Sequence, residues 1–154
     1  MRRPITGFHR DEAGDFVAEL SCGHGQHVRH DPPLVERPWV LSEEGRASRL
    51  GDTLDCVRCD ARELPEGYEA FRRTRSFDAD SLPDALRSRH DTKAGIWARI
   101  HVTAGEVTYR VHEPYHTQER LTPAAPGTVL PEVPHELSGD GTFQVYVEFW
   151  RRRR

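Results

Sequence analysis

The chain has 154 residues, enough for one domain of ordinary size or two small ones. Its hydrophobic fraction of 36% is low for a single well-packed globule, and its formal net charge of -3 gives no general attraction to nucleic acid. No stretch approaches the roughly 20 apolar residues of a membrane span, and no apolar segment follows Arg2 and Arg3 as it would in a signal peptide. We therefore expect a cytoplasmic protein, and three cysteines fit a reducing compartment.

The first 60 residues alternate between short regular segments and turns. Residues 7–20 have the pattern of a β-hairpin with its turn at residues 11–14, and the Gly- and His-rich residues that follow show no helical periodicity. Residues 39–41 are a short strand candidate. Ser42 can cap a helix that runs to about Leu50. The composition changes near residue 62, so we predict two domains, residues 1–62 and 63–154.

The second domain is predicted to be mainly β-structure. Ser81 can cap a helix that ends near Arg89, and Ala104 with Gly105 predicts a hairpin turn. Several short alternating segments at this spacing favour an antiparallel barrel or sandwich. The predicted strands are residues 68–77, 96–102, 107–111 and 143–150.

Cysteine and histidine spacing predicts a metal site in the first domain. Tetrahedral zinc usually takes four nitrogen or sulfur ligands from two short segments separated by a loop. The predicted ligands are Cys22, His24, Cys56 and Cys59. His27 and His30 are alternatives for the fourth ligand, and an incidental or redox pair is the alternative for the two C-terminal cysteines. Four protein ligands would make the zinc structural, because no coordination position stays open.

The first domain also resembles a bacterial domain of unknown function described as pressure-regulated-ORF-like. The resemblance covers about residues 2–60 and implies a discrete module without an established activity. With the predicted ligands, it indicates a small, metal-stabilised α+β domain of zinc-ribbon-like character. The motifs that carry it are Gly7-Phe-His9, residues 20–30, Arg37-Pro-Trp-Val-Leu41, Gly45-Arg-Ala-Ser48 and Cys56-x-x-Cys59.

The second domain resembles the small cupin-like family of tellurite-resistance and nitrate-response proteins, the TehB/YeaR-like domain. The resemblance covers about residues 64–151 and implies a cupin-like antiparallel β-barrel with a metal at its mouth. The motifs that carry it are Tyr68-x-x-Phe-x-x-Thr74, Leu82-Pro-x-x-Leu86, His90-x-x-Lys-Ala-Gly-Ile-Trp97, Gly105-Glu-Val-Thr-Tyr109, Pro131-x-x-Pro-His135 and Phe143-x-Val-Tyr-Val-Glu-Phe149.

This resemblance implies a set of barrel ligands. The His-x-His pair of the general cupin pattern is missing from this chain. The residues that stand in register with the family's ligands are His90, His135 and Glu148, the last as a ligand or as a partner of a ligand. Such a set suits Fe, Zn, Ni or Mn. Glu148 shares the less apolar face of its strand with Tyr146, so that face must look into the barrel for Glu148 to bind. His101 lies outside the family pattern, and a metal-free barrel is the alternative.

These features predict a metal-binding stress-response protein that binds or senses a small molecule or an anion. A metal-dependent oxygenase, isomerase or reductase is one alternative. A regulator that binds nucleic acid or protein through residues 1–60 and the C-terminal arginines is another. We do not expect nucleic acid as a partner, because the run from Arg151 to Arg154 follows the last strand without an aromatic platform. Cupin-like barrels often pair through their strands, so a homodimer is a further expectation.

Overall fold

The computed structural model describes residues 1–154, which form two compact units, Met1–Glu66 and Gly67–Arg154. Both units are built mainly from antiparallel strands. The three α-helices have four or five residues each, and none is long and apolar enough to cross a membrane.

The first unit is a four-stranded antiparallel sheet with the strand order β3-β2-β1-β4. The predicted hairpin is confirmed as β1 and β2, with its turn at Gly14, whose φ of 87° favours glycine. Its first strand starts five residues earlier than expected, and the His-rich segment supplies β3. The elements are β1 (Arg2–Arg10), β2 (Phe16–Leu20), β3 (Gly25–His27), α1 (Glu43–Ala47), β4 (Thr53–Asp55) and α2 (Val57–Asp60).

One predicted strand of this unit is wrong. Residues 39–41 belong to a turn of 3-10 helix, Pro38–Leu41. Pro38 favours this turn, because its fixed φ suits the first helical position. The predicted cap at Ser42 is confirmed, since its hydroxyl accepts a hydrogen bond from the Gly45 amide at 3.0 Å. The helix ends at Ala47, three residues before the predicted end.

The second unit consists of two antiparallel sheets that form a half-barrel. One sheet has the order β5-β11-β6-β9 and the other β10-β7-β8. The elements are β5 (Tyr68–Arg73), α3 (Asp84–Arg87), β6 (Trp97–Ala104), β7 (Val107–Val111), β8 (Thr117–Leu121), β9 (Gly127–Val129), β10 (His135–Ser138) and β11 (Gln144–Arg152).

The predicted hairpin at Ala104 and Gly105 is wrong. β6 pairs with β11 and β9, whereas β7 pairs with β8 and β10, so this turn carries the chain from one sheet to the other. Gly105 suits the turn because its φ is 70° and a Cβ there would lie 2.1 Å from the Thr142 carbonyl oxygen.

The predicted helix cap at Ser81 is also wrong. Its backbone amide and its hydroxyl instead donate to the Asp78 carboxylate, at 2.8 and 2.9 Å, in a turn before the helix. The helix begins at Asp84, directly after Pro83.

The apolar cores of the two units differ in size. In the first unit the buried apolar residues, apart from the cysteines and Pro65, are only Ile5, Val17, Ala18, Leu20, Val28 and Val40. The second unit has a much larger core between its sheets. It consists of Phe77, Leu82, Trp97, Ala98, Ile100, Val102, Val107, Tyr109, Val111, Leu121, Val129, Leu130, Val133, Leu137, Phe143, Val145 and Val147.

Candidate metal centre

The tight turn between β2 and β3 positions the first two site residues. The Gly23 amide donates to the Leu20 carbonyl at 2.8 Å, and Gly23 has a φ of 96° that suits glycine. Cys22 and His24 stand on either side of Gly23, and both side chains are buried.

The other two site residues belong to the short helix that follows β4. Cys56 is the residue before the first turn of α2, and Cys59 lies within that turn. Residues three apart on a helical turn face the same side. The Cys56 amide donates to the Met1 carbonyl at 2.8 Å, which ties this turn to the start of β1.

The four side chains converge on one point. The Nδ1 atom of His24 lies 3.4 Å from the Cys22 sulfur, 3.3 Å from the Cys56 sulfur and 3.7 Å from the Cys59 sulfur. The sulfurs of Cys22 and Cys56 are 3.9 Å apart. All four ligand atoms lie within 4.8 Å of one another.

These distances fit tetrahedral zinc. With Zn–S bonds of 2.3 Å and Zn–N bonds near 2.05 Å, a tetrahedron places two sulfurs about 3.8 Å apart and a sulfur and a nitrogen about 3.6 Å apart. The observed separations lie close to both values. The four residues can therefore bind a metal such as zinc.

His24 is oriented by a hydrogen bond on its far side. Its Nε2–H donates to the Glu63 carbonyl oxygen at 2.8 Å, which leaves the Nδ1 lone pair directed at the thiols. The alternative fourth ligands lie elsewhere: His27 Nε2 is 2.7 Å from an Asp11 carboxylate oxygen, and His30 Nδ1 accepts from the Arg37 amide. Among the three histidines, His24 is the one that reaches the cysteines.

The three thiols hold their protons unequally. A hydrogen bond from the Cys59 thiol lowers the pKa of Cys22, and the same bond, together with burial, raises the pKa of Cys59 to about 12. Burial raises the pKa of Cys56. Because the thiolate is the metal ligand, a bound cation has to displace these protons.

Arg3 brings a buried positive charge to this cluster. Its side chain lies on β1 and is 1% exposed. Among the smaller influences on the thiols, its charge lowers the pKa of Cys22, and the guanidinium also acts to lower the pKa of Cys59. A buried charge is stabilised by a compensating charge, so Arg3 favours negative charge on the cysteines. No sequence motif marks Arg3 for this role, and only the alternation of β1 places it on the face of Ile5.

Two of the three predicted barrel ligands lie side by side. His90 and His135 exchange backbone hydrogen bonds, and their ring centroids are 4.2 Å apart. His135 Nδ1–H donates to the Val133 carbonyl and His90 Nδ1–H to the Ser88 carbonyl, each at 2.9 Å, so both Nε2 atoms keep a lone pair. His135 is 4% exposed, and burial lowers its pKa to about 4.

Glu148 does not join the two histidines. It lies on the face of β11 opposite the buried Val145 and Val147, where its carboxylate accepts a hydrogen bond from Trp150 Nε1–H at 3.0 Å and lies 3.4 Å from His101 Nε2. The alternation of the strand had already placed Glu148 on this less apolar face. The structure thus pairs Glu148 with His101 rather than with His90 and His135.

Comparison with known families follows the division into two units. Residues 72–147 match the family model of the TehB-like domain. Residues 6–63 match the model of a protein family of unknown function, DUF3565. The TehB-like match lies within the region where the sequence motifs indicate that resemblance, and the DUF3565 match contains all four residues of the Cys/His cluster.

Solved structures share the fold. The crystal structure of TehB from Haemophilus influenzae has a TM-score of 0.52 and 17% identity, over 56% of this chain and 32% of the TehB chain. The crystal structure of a protein from E. coli strain K12 has a TM-score of 0.54 and 19% identity, over 60% of this chain and 98% of that protein. This chain therefore spans only about a third of TehB. No curated protein sequence matches it.

Proposed function

We propose that this chain is a metal-binding stress-response protein of the tellurite-resistance and nitrate-response cupin type. In this proposal the first unit holds a structural zinc, and the second unit binds or senses a small molecule or an anion. The observation that carries the proposal is the buried, converging set of Cys22, His24, Cys56 and Cys59. The match of residues 72–147 to the TehB-like domain supports the assignment of the second unit.

Charge balance favours a dication in this set. Three thiolates, a neutral imidazole and a zinc ion carry a net charge of -1, and the buried guanidinium of Arg3 supplies the matching positive charge. A neutral assembly avoids the large penalty for a charge buried alone. Bound zinc would supply four fixed bonds between the β2–β3 turn and α2, which is a structural rather than a chemical contribution.

The second unit is proposed to act through His90 and His135. Because both Nδ1–H groups donate to backbone carbonyls, the two Nε2 lone pairs can bind a labile Fe, Zn, Ni or Mn ion and leave positions open for an oxygen donor from a small molecule or anion. The same open positions support the second candidate function, a metal-dependent enzyme acting on a small molecule. The proposed ligand set excludes Glu148, because its carboxylate accepts a hydrogen bond from Trp150 and lies beside His101.

Metal analysis of the full chain tests both sites. We expect about one tightly held zinc per chain, as a tetrahedral site would bind, and loss of that zinc in Cys56→Ser. His27→Gln, which changes a nearby histidine outside the cluster, is the matched control and should retain the zinc. A labile second metal should disappear in His135→Asn while the zinc stays. Full-length protein that carries no zinc, or that keeps it in Cys56→Ser, would refute the first site.

A further inference from the structure

The outer face of the β5-β11-β6-β9 sheet carries side chains that neither metal site uses. Cross-strand register aligns Glu148 of β11 with Arg73 of β5 and Arg99 of β6. Tyr146 pairs with His101 in the same way, and their rings stack with centroids 4.8 Å apart. Side chains of directly paired residues lie on the same face of a sheet. This face, which we call the arginine–aromatic face, is therefore polar and aromatic rather than apolar.

Arginine guanidiniums lie over aromatic rings across this face and its edge. Arg73 lies 3.8 Å from the ring centroid of Tyr146, and Arg99 lies 5.2 Å from that of Trp150. At the end of the sheet the guanidinium of Arg152 lies 6.0 Å from the ring of Tyr68. Such cation–π pairs hold the guanidinium plane in place and present it as a flat, charged surface.

Positive charge is concentrated on this sheet. The four strands and the two residues that follow β11 contain seven arginines and only two glutamates, Glu69 and Glu148. Glu69 is within 3.1 Å of Arg153, and Glu148 accepts from Trp150. The opposite sheet, β10-β7-β8, contains two arginines and two glutamates. Because side chains alternate between the faces of a strand, only part of this charge lies on the arginine–aromatic face: Arg73 and Arg99, with Arg152 at its end, against Glu148. That balance still leaves the face positive, while the chain as a whole is weakly acidic.

We propose that the arginine–aromatic face binds single-stranded nucleic acid. Arginines contact the phosphates, and the bases stack on the guanidinium planes that cover Tyr146 and Trp150 and on the exposed part of Trp150, because His101 and Arg73 already occupy the faces of Tyr146. An acidic peptide or an anionic lipid would use the charges but not the flat surfaces, and duplex DNA keeps its base faces inside the helix. The fold supplies the aromatic platform that the C-terminal arginines were expected to lack, because Arg151 lies 4.5 Å from the ring centroid of Phe71 and Arg152 lies beside Tyr68.

The proposal is tested by fluorescence anisotropy with the full-length protein and a labelled oligothymidylate. An oligonucleotide of about 15 nucleotides is near the upper site size of a single-strand binding domain. Trp150→Leu should weaken binding at least about fivefold, because each stacked base contributes a factor of this size or larger, and should leave the salt dependence unchanged. Arg73→Gln, at an exposed position, should weaken binding and reduce the slope of log affinity against log salt by about 0.7.

Arg110→Gln, on the opposite and charge-balanced sheet, is the matched control and should change neither affinity nor slope. A duplex of the same length, polyglutamate and vesicles with anionic lipid should all bind more weakly than the single strand. The proposal is overturned if the oligonucleotide does not bind at low salt, or if any of these competitors binds equally well. It is also overturned if Trp150→Leu binds like the wild type, or if Arg73→Gln changes neither the affinity nor the salt slope.

Discussion

His135 should make the stability of the second unit depend on pH. Burial lowers its pKa in the folded protein to about 4 from an ordinary value of 6.5, although the carboxylate of Asp91 favours the protonated form and His90 and His112 disfavour it. The unfolded chain therefore takes up this proton first as the pH falls. The stabilisation is complete above pH 6.5 and is lost between about pH 6.5 and pH 4.

The size of this loss follows from the two pKa values. A shift of this size corresponds to a total of about 3 kcal/mol, of which about 2 kcal/mol is lost between pH 7 and pH 5. His135→Asn keeps a donor for the Val133 carbonyl but cannot be protonated, so it should lack this loss. His116→Asn is the matched control, because His116 is exposed and Asn tolerates its φ of 51°.

The assay is urea unfolding at pH 7 and pH 5, followed through the amide NMR signals of β7 and β10. This reports on the second unit alone. Wild type and His116→Asn should lose about 2 kcal/mol more than His135→Asn over this interval. Equal losses in all three proteins, or an NMR titration of the His135 ring with a midpoint near 6.5, would refute the reasoning.

Three further results are expected. Arg3→Met should weaken zinc binding about 10-fold or more in a competition with a chromogenic chelator, because it removes the charge that balances the thiolates, and Arg3→Lys should weaken it less. Gly105→Ala should lower the free energy of unfolding of the second unit by more than about 1 kcal/mol in the same urea assay, because Gly105 has a positive φ and the added Cβ would meet the Thr142 carbonyl. Gly141→Ala is the control and should have little effect, because there is open space at its Cβ. A strong chelator should abolish hydrogen-exchange protection in β1 to β4 and leave β6 and β11 protected.

Local spacing was enough to find the cysteine cluster but not its surroundings. The two-residue gap between Cys56 and Cys59 fixes their geometry within one turn, and Cys22 was the remaining thiol. Arg3 and the Glu63 carbonyl reach the site only through the pairing of β1 and the path of the chain after α2. Nothing in their immediate sequence marks them, so their roles depend on the tertiary structure.

Strand pairing in the second unit was harder to predict for a related reason. The alternation in β6 and β7 correctly indicates two strands, but it does not say which strands they pair with. A short turn between two alternating segments favours a hairpin. In the structure, however, β6 and β7 belong to different sheets, and each contributes side chains to the core between them. For Glu148 the alternation was the better guide. It places Glu148 on the less apolar face of its strand, whereas the family register predicts a barrel ligand there.

The small core of the first unit bears on what its metal would do. Besides the cysteines and Pro65, six apolar side chains are buried among 66 residues, and a domain of this size is marginal even with a full core. Zinc ligation in comparable small domains contributes a free energy of about 10 kcal/mol or more at neutral pH, several times what one buried side chain contributes. With all four side chains buried and used as ligands, the proposed zinc would have no open coordination position, so its binding energy would stabilise the fold and leave no place for a substrate. The ligand-binding role proposed for this protein therefore belongs to the second unit, whose larger apolar core can hold its sheets together without a metal.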